Sequence, residues 1–82
     1  MRILPIGSDT IAYVRKRQLE RKLAKQVRYF ELNPFHPSLE TELLEPKHMH
    51  IWSFRVDRKY RAIFIFRTPD TVEIIEVSDH YQ

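Results

Sequence analysis

The sequence has no cysteine among its 82 residues and no apolar run that approaches the length of a membrane span. Without cysteine, a disulfide framework and a thiolate metal site are both excluded, and a reducing compartment fits the composition. The N-terminal stretch MRILPIGSDT contains too short an apolar segment for a signal peptide. No internal repeat or low-complexity segment is present. We therefore expect a cytoplasmic protein with no membrane association.

The residues that are present suffice for a folded core. Apolar residues make up 43% of the chain, which is more than a wholly disordered segment contains. A chain of this length can bury only one modest core. The sequence therefore predicts a single domain over residues 1–82.

Positive charge is concentrated in two parts of the sequence. The formal net charge is only +3, but residues 9–32 contain seven basic residues against three acidic ones. A second basic set lies in the later, apolar half and comprises Arg55, Arg58, Lys59, Arg61 and Arg67. Such clusters suit a phosphate backbone or an acidic protein partner, although a charged helical run often serves only to solvate its face.

The first third of the chain is predicted to be a short strand followed by helix. Residues 2–6 form the strand, which Pro5 restricts to a sheet edge or a strand end. Ser8 and Asp9 supply N-cap chemistry for a helix that turns back near residue 17. A second helical stretch then places four apolar residues on one face, at spacings of four, four and three: Leu19, Leu23, Val27 and Phe30.

A long connector separates the helices from the strands that follow. Asn33-Pro34 ends the helical region, because proline disfavours helix in the residue before it. Residues 33–50 then contain three prolines, with a short helix possible over Ser38–Glu45. Three strands are predicted at 51–57, 60–67 and 72–78. Helices followed by an antiparallel meander indicate an α+β fold, with the helices on one face of a mainly antiparallel sheet.

The pairing of the last two strands places His80 near Arg61. If residues 68–71 form a four-residue loop, Arg61 lies opposite Ser78, and His80 becomes its diagonal neighbour. The same register puts Ile75 opposite Phe64 on the helix-facing side of the sheet. It puts Ile74 opposite Ile65 on the other side.

The first hairpin extends this second face. An odd-numbered loop or a bulge would place Arg55 beside Arg61, whereas a two-residue turn would separate them. With the odd loop, one face carries Arg55, Arg61, Arg67, Glu76 and His80 around Ile63, Ile65 and Ile74. Either this face is an open basic surface for an anion, or Arg61 and Glu76 form an ordinary surface ion pair.

Three segments carry a family pattern: HPSLETELLE at 36–45, WSFRVDRKYRAIFIF at 52–66, and the ending DHY at 79–81. Together they resemble the RelE/ParE superfamily of bacterial type II toxins over most of the chain. The sharpest part is W-S-x-R-[VI]-x-x-x-[YH]-R-x-[IV]-[FY], which runs from Trp52 to Phe64. The terminal His-Tyr pair is most similar to the YoeB-type branch.

The resemblance implies an mRNA interferase that acts in the ribosomal A site and is kept silent by a cognate antitoxin. Its chemistry would need no metal and no cofactor. The 2′-hydroxyl attacks the adjacent phosphate and the 5′-oxygen leaves. That reaction requires a base for the hydroxyl, an acid for the leaving oxygen and cations for the extra negative charge.

The resemblance also implies a role for individual residues. Arg61 would stabilise the pentacoordinate phosphate, and Arg55 would hold the scissile or a neighbouring phosphate. His80 would be the general acid, and Tyr81 would position or stack on a base. The remaining cations predicted to bind substrate are Arg58, Lys59, Lys47 and Arg67.

The resemblance leaves two candidates for the general base. An ungapped alignment from Trp52 places it on Glu42, and Glu45, one helical turn away, is the alternative. His48 and His50 lie nearby, where related branches carry basic catalytic residues.

Two other functions remain open at this point. One is a non-catalytic toxin that binds a protein target such as DNA gyrase, as in the ParE branch. The other is an inactive module that binds RNA or an antitoxin.

Overall fold

The structure is a computed structural model that describes residues 1–80 as two α-helices packed on a five-stranded sheet. The helices are α1 (Ser8–Lys16) and α2 (Glu20–Leu32). The strands are β1 (Arg2–Ile3), β2 (Glu42–Leu43), β3 (Trp52–Arg55), β4 (Arg61–Thr68) and β5 (Thr71–Ser78). The predicted α+β class is confirmed.

The two helices form a hairpin with a break where the sequence predicts one. Gln18, between them, has a φ of 57°, in the left-handed region that stops a right-handed helix. The cap of α1 differs from the prediction, since Gly7 is the N-cap and Ser8 is already helical. Helix α2 ends at Leu32, directly before Asn33-Pro34 as predicted. Within residues 1–80, neither helix is long and apolar enough to cross a bilayer.

The sheet has the strand order β1-β5-β4-β3-β2. Strand β1 runs parallel to β5 at one edge, and the other neighbouring strands are antiparallel. The first strand is shorter than the predicted residues 2–6, ends before Pro5 and lies at an edge of the sheet. The prediction of a mainly antiparallel sheet is therefore confirmed.

The core lies between the helices and one face of the sheet. The ring of Phe30, on α2, lies 5.1 Å from Phe54 on β3 and 5.0 Å from Phe64 on β4, measured between centroids. All three side chains are fully buried. Aromatic contacts of this kind add to the stabilisation by apolar burial, and they leave the opposite face of β3 and β4 free for polar side chains.

The predicted register between β4 and β5 is correct at one end of the strands and wrong at the other. Arg61 pairs with Ser78 as predicted, but Phe64 pairs with Ile74, because a β-bulge intervenes. The bulge leaves Ile74 in the core and Ile75 43% exposed, the reverse of the expected arrangement. The turn also differs, since Thr68 pairs with Thr71 and only two residues connect the strands.

The connector is not helical over Ser38–Glu45. It forms a 3₁₀ turn at Pro37–Leu39, the short strand β2 and a second 3₁₀ turn at Lys47–Met49. Pairing of β2 with the edge of β3 replaces the predicted helix. Backbone hydrogen bonds to the neighbouring strand favour the extended conformation, and a local sequence pattern does not contain them.

Candidate active site

Two arginines lie side by side on the sheet face opposite the helices. Arg55 on β3 pairs directly with Arg61 on β4, and residues 56–60 form the odd-numbered loop that this register requires. The predicted pairing is therefore confirmed. Ser53 lies on the same face as Arg55, and β2 places Glu42 opposite Ser53. Three adjacent strands thus bring these four side chains together.

Arg61 is buried and is held by several hydrogen bonds. Its Nε donates to Ser53 Oγ at 2.8 Å, and its Nη2 donates to the backbone oxygens of Ser53 and Glu40. Only 10% of the Arg61 side chain is exposed. Its Nη1 donates to none of the residues that the structure describes.

The charge of Arg61 is compensated by the connector. Glu42 Oε1 lies 3.4 Å from Arg61 Nη2. Burial lowers the pKa of Arg61 and Arg55 acts in the same direction, while the carboxylates of Glu42 and Glu40 oppose them. The alternative ion pair with Glu76 is not formed within residues 1–80. Two connector acids, Glu40 and Glu42, therefore lie beside the arginines of this face.

Glu42 occupies a strand, and this separates the two candidates for the general base. Its carboxylate is 56% exposed, at the edge of the sheet and next to Arg61. Glu45 was expected one helical turn away, but the helix is absent and Glu45 lies beyond the end of β2. Of these two acids, only Glu42 lines the cleft described below.

Glu40 is a residue of the site that the sequence analysis missed. Its carboxylate forms a short ion pair with Arg55 Nη1, and its carbonyl accepts a hydrogen bond from Arg61. The backbone of Glu40 is left-handed, with φ 45° and ψ 49°, which a glutamate adopts only where its surroundings hold it. Its position two residues before Glu42 would have been a signal if residues 40–43 had been interpreted as extended chain.

These side chains line an open cleft of about 340 Å³. The lining comprises Glu40, Glu42, Arg55, Asp57, Arg58, Lys59 and Arg61. Four of the predicted cations therefore meet here with the predicted base. We call this space the catalytic cleft, after the roles that the family resemblance implies for Arg61 and Glu42.

The β3–β4 loop is fixed by Asp57, which was not predicted. Asp57 Oδ1 accepts hydrogen bonds from the backbone N–H groups of Lys59 at 2.9 Å and Tyr60 at 2.8 Å. Asp57 Oδ2 accepts from Lys22 Nζ at 3.0 Å. Burial raises the pKa of Asp57, but these hydrogen bonds outweigh it and the pKa is lowered overall. The loop that carries Arg58 and Lys59 is therefore tied at its base.

His80 lies beside the catalytic cleft rather than in its lining. Its backbone N–H donates to the buried Ser78 Oγ at 3.0 Å, and its imidazole is 85% exposed. Its neighbour Asp79 lies 4.0 Å from Lys59, a residue of the cleft. The end of β5 is thus joined to the mouth of the cleft. Tyr81, the other member of the predicted pair, lies outside the described residues.

Two predicted cations are placed elsewhere. Arg67 lies at the far end of β4, where its Nε donates to Glu73 Oε1 at 2.7 Å. The second bulge between β4 and β5 falls at this point. Lys47 is exposed in the second 3₁₀ turn of the connector and does not line the catalytic cleft.

The arrangement is suited to chemistry on a phosphodiester. A carboxylate able to accept a proton lies next to a rigid guanidinium, and a second arginine lies beside them. Preorganised cations of this kind stabilise charge that develops in a transition state. Each group is on a strand or on a tied loop, which limits its movement.

No family model matches the chain, and no curated protein matches it. Several solved structures match the chain. A YoeB/ParE toxin from Agrobacterium tumefaciens has a TM-score of 0.73 at 19% identity and covers 99% of this chain and 100% of its own. The YoeB–YefM complex from Staphylococcus aureus has a TM-score of 0.70 at 14% identity, with 99% and 98% covered. YafQ from E. coli has a TM-score of 0.73 at 13% identity, with 96% and 90% covered.

These likenesses establish the fold. The fold implied by the resemblance to RelE/ParE superfamily toxins, which was predicted from three short sequence segments, is therefore confirmed. The structural likeness extends over nearly the whole chain in each comparison.

Proposed function

We propose that this protein is the toxin of a type II toxin–antitoxin system and that it cleaves mRNA in the ribosomal A site. The observation that carries the proposal is the contact of Glu42 with Arg61, 3.4 Å apart in an open cleft beside Arg55. A base next to two cations is what attack by a 2′-hydroxyl on a phosphate requires.

In the proposed reaction, Glu42 accepts the proton of the 2′-hydroxyl as the O2′–P bond forms. Arg61 Nη1 and Arg55 donate hydrogen bonds to the phosphate oxygens, on which negative charge accumulates. The P–O5′ bond then breaks, and His80 gives a proton to the departing 5′-oxygen. The products are a 2′,3′-cyclic phosphate and a 5′-hydroxyl, and no cofactor takes part.

The partners follow from the same proposal. One structural neighbour is a toxin–antitoxin complex from Staphylococcus aureus, which supports a cognate antitoxin for this chain. The ribosome and its mRNA would be the targets, and the protein would act in the cytoplasm.

A second candidate is a toxin or binding module without catalysis, such as a ParE-like inhibitor of DNA gyrase. Two sets of contacts favour this non-catalytic candidate. Arg55 forms an ion pair with Glu40, and most of the Arg61 N–H groups already donate to acceptors within the protein. In a nuclease, the Glu40 carboxylate would therefore compete with the RNA phosphate for Arg55.

The test is expression in a translating extract with mapping of mRNA ends. We expect Arg61→Ala and Glu42→Gln to lose cleavage by about 100-fold or more. Arg2→Ala is the matched control, because Arg2 lies on β1 at the opposite edge of the sheet. Wild-type protein that leaves messages intact in the extract, but stops the growth of cells that express it, would exclude the nuclease and favour the gyrase-type alternative.

A further inference from the structure

A second cleft, of about 490 Å³, lies between α2 and the β3–β4 loop. Four of its lining side chains are cations and one is an acid: Lys22, Lys25, Arg55 and Arg58, with Asp57. We call it the helix cleft. Lys22 and Lys25 belong to the basic helical run of the sequence, for which the proposed reaction has no use.

The helix cleft and the catalytic cleft are adjacent. Arg55, Asp57 and Arg58 line both of them. Arg55 is therefore at the boundary, where its guanidinium faces the space on either side. An extended polyanion bound in the catalytic cleft can therefore continue into the helix cleft, along α2.

The cations of the helix cleft are incompletely neutralised. Lys22 is paired with Asp57 at 3.0 Å. Lys25 and Arg58 make no ion pair or side-chain hydrogen bond with the described residues, and both are exposed. Unpaired cations close together repel one another, so an anion bound between them is favoured.

A buried glutamine fixes the part of α2 that carries Lys22 and Lys25. Gln26, which is only 6% exposed, donates through Nε2 to the carbonyl oxygens of Ser38 at 3.0 Å and Arg55 at 2.7 Å. This amide joins α2 to β3 and to the connector. Lys22 and Lys25, on the same face of α2, are thereby held at a set distance from Arg55.

The chemistry of the helix cleft favours RNA over an acidic helix. Its lining contains one apolar side chain, Val56, and that side chain is buried. A docked amphipathic helix needs an apolar groove for its anchors. Such a groove exists on another face of α2, between α1 and α2, where Ile11 and Leu23 contribute to the lining.

We infer that the helix cleft binds the backbone phosphate of a nucleotide next to the one in the catalytic cleft. Lys25 and Arg58 are its main ligands, and Arg55 bridges the two phosphates. The inference rests on the proposed function for its substrate, single-stranded RNA. It adds Lys22 and Lys25 to the substrate-binding residues.

The experiment measures RNA binding apart from cleavage. A fluorescein-labelled 2′-O-methyl RNA of about ten nucleotides, which lacks the attacking hydroxyl, is titrated with full-length protein by anisotropy. The titration is repeated from about 20 to 200 mM salt, because each phosphate contact on a single strand contributes about 0.7 to the slope of log K against log salt. Lys25→Gln is compared with Lys16→Gln, a lysine of α1 outside both clefts.

Lys25→Gln is expected to lower the slope by about 0.7, and Lys25→Gln with Arg58→Gln by about 1.4, the loss of two phosphate contacts. Lys16→Gln should change it far less. Lysine and glutamine have similar helix propensity, so both variants should fold, which circular dichroism checks.

Equal slopes for Lys25→Gln and Lys16→Gln would overturn the inference, and so would a wild-type protein that does not bind the RNA at low salt. Loss of binding to polyglutamate in Lys25→Gln, with RNA binding unchanged, would assign the cleft to a protein instead. The outcome is separable from that of the proposed function. RNA binding that depends on Lys25 without any mRNA cleavage would support the cleft and exclude the nuclease.

Discussion

Ser53 Oγ accepts a hydrogen bond from Arg61 Nε at 2.8 Å, and the serine that provides this contact is completely buried. The serine lies on β3, one residue from Phe54, and faces away from the aromatic core. It therefore sets the direction in which the Arg61 guanidinium points, although it was not among the predicted site residues.

Ser53→Ala should impair both stability and cleavage. Removing the acceptor leaves a buried charged donor unpaired, at a cost of about 1.5–3 kcal/mol in the free energy of unfolding. Urea unfolding and mRNA cleavage measure the two effects. Ser8→Ala, an exposed serine without a side-chain cap bond, is the control. Cleavage at the wild-type rate in Ser53→Ala would show that Arg61 needs no such support.

Glu40→Gln should strengthen RNA binding. The substitution removes the carboxylate that neutralises Arg55, and exposed ion pairs of this kind contribute about 0.2–1 kcal/mol. We expect RNA to bind up to about fivefold more tightly, with little change in stability. Anisotropy with the 2′-O-methyl RNA measures this. Weaker binding would mean that Glu40 positions Arg55 rather than competing with the substrate.

Gln26→Leu should destabilise the fold more than a substitution at an exposed position of the same helix. The substitution leaves the carbonyl oxygens of Ser38 and Arg55 without their donor, and a buried unsatisfied group costs about 1–3 kcal/mol. Arg28→Leu, at an exposed position of the same helix, should stay within about 0.5 kcal/mol of wild type. Denaturant midpoints compare the two. Equal midpoints would show that water replaces the amide.

Protonation of Asp57 should lower the stability of the protein in acid. Its folded pKa is lowered, so its contribution is present above the unfolded value of about 3.9 and is lost as the pH falls through the folded value. Asp57→Asn keeps an oxygen for the two loop N–H groups but removes the charge. The wild type should therefore exceed this variant in stability at pH 7, and the difference should shrink below about pH 4. Urea unfolding at several pH values tests this, and a difference that is constant with pH would refute it.

The sequence was most informative about β3 and β4, because only one register between them brings the apolar sides of both strands into one core. The apolar sides of β3 and β4 can merge into one core only if Arg55 and Arg61 are paired, and this pairing was predicted. In β5, Ile74 and Ile75 are adjacent and equally apolar, so alternation does not decide which one faces the core. The bulge that decides it is a property of the pair of strands.

The connector was the least predictable part of the site. Glu42 was identified through the family resemblance, but its backbone was expected to be helical. The position of Glu40 depends on a left-handed residue that follows a 3₁₀ turn. The turn itself has local causes, since Pro37 is its first residue and His36 Nδ1 accepts a hydrogen bond from the backbone N–H of Ser38. The left-handed conformation of Glu40 is not indicated locally, because contacts with Arg55 and Arg61 from distant strands hold it.

The two strands at the edges of the sheet are only two residues long each, whereas the eight-residue strands β4 and β5 lie inside it. The folded protein therefore offers little open backbone to a neighbouring molecule, and should resist aggregation through strand addition. Unfolding exposes the AIFIF and VEIIEV segments, which have the composition of self-associating strands. Heat denaturation of this protein should consequently be irreversible at high concentration and reversible when dilute.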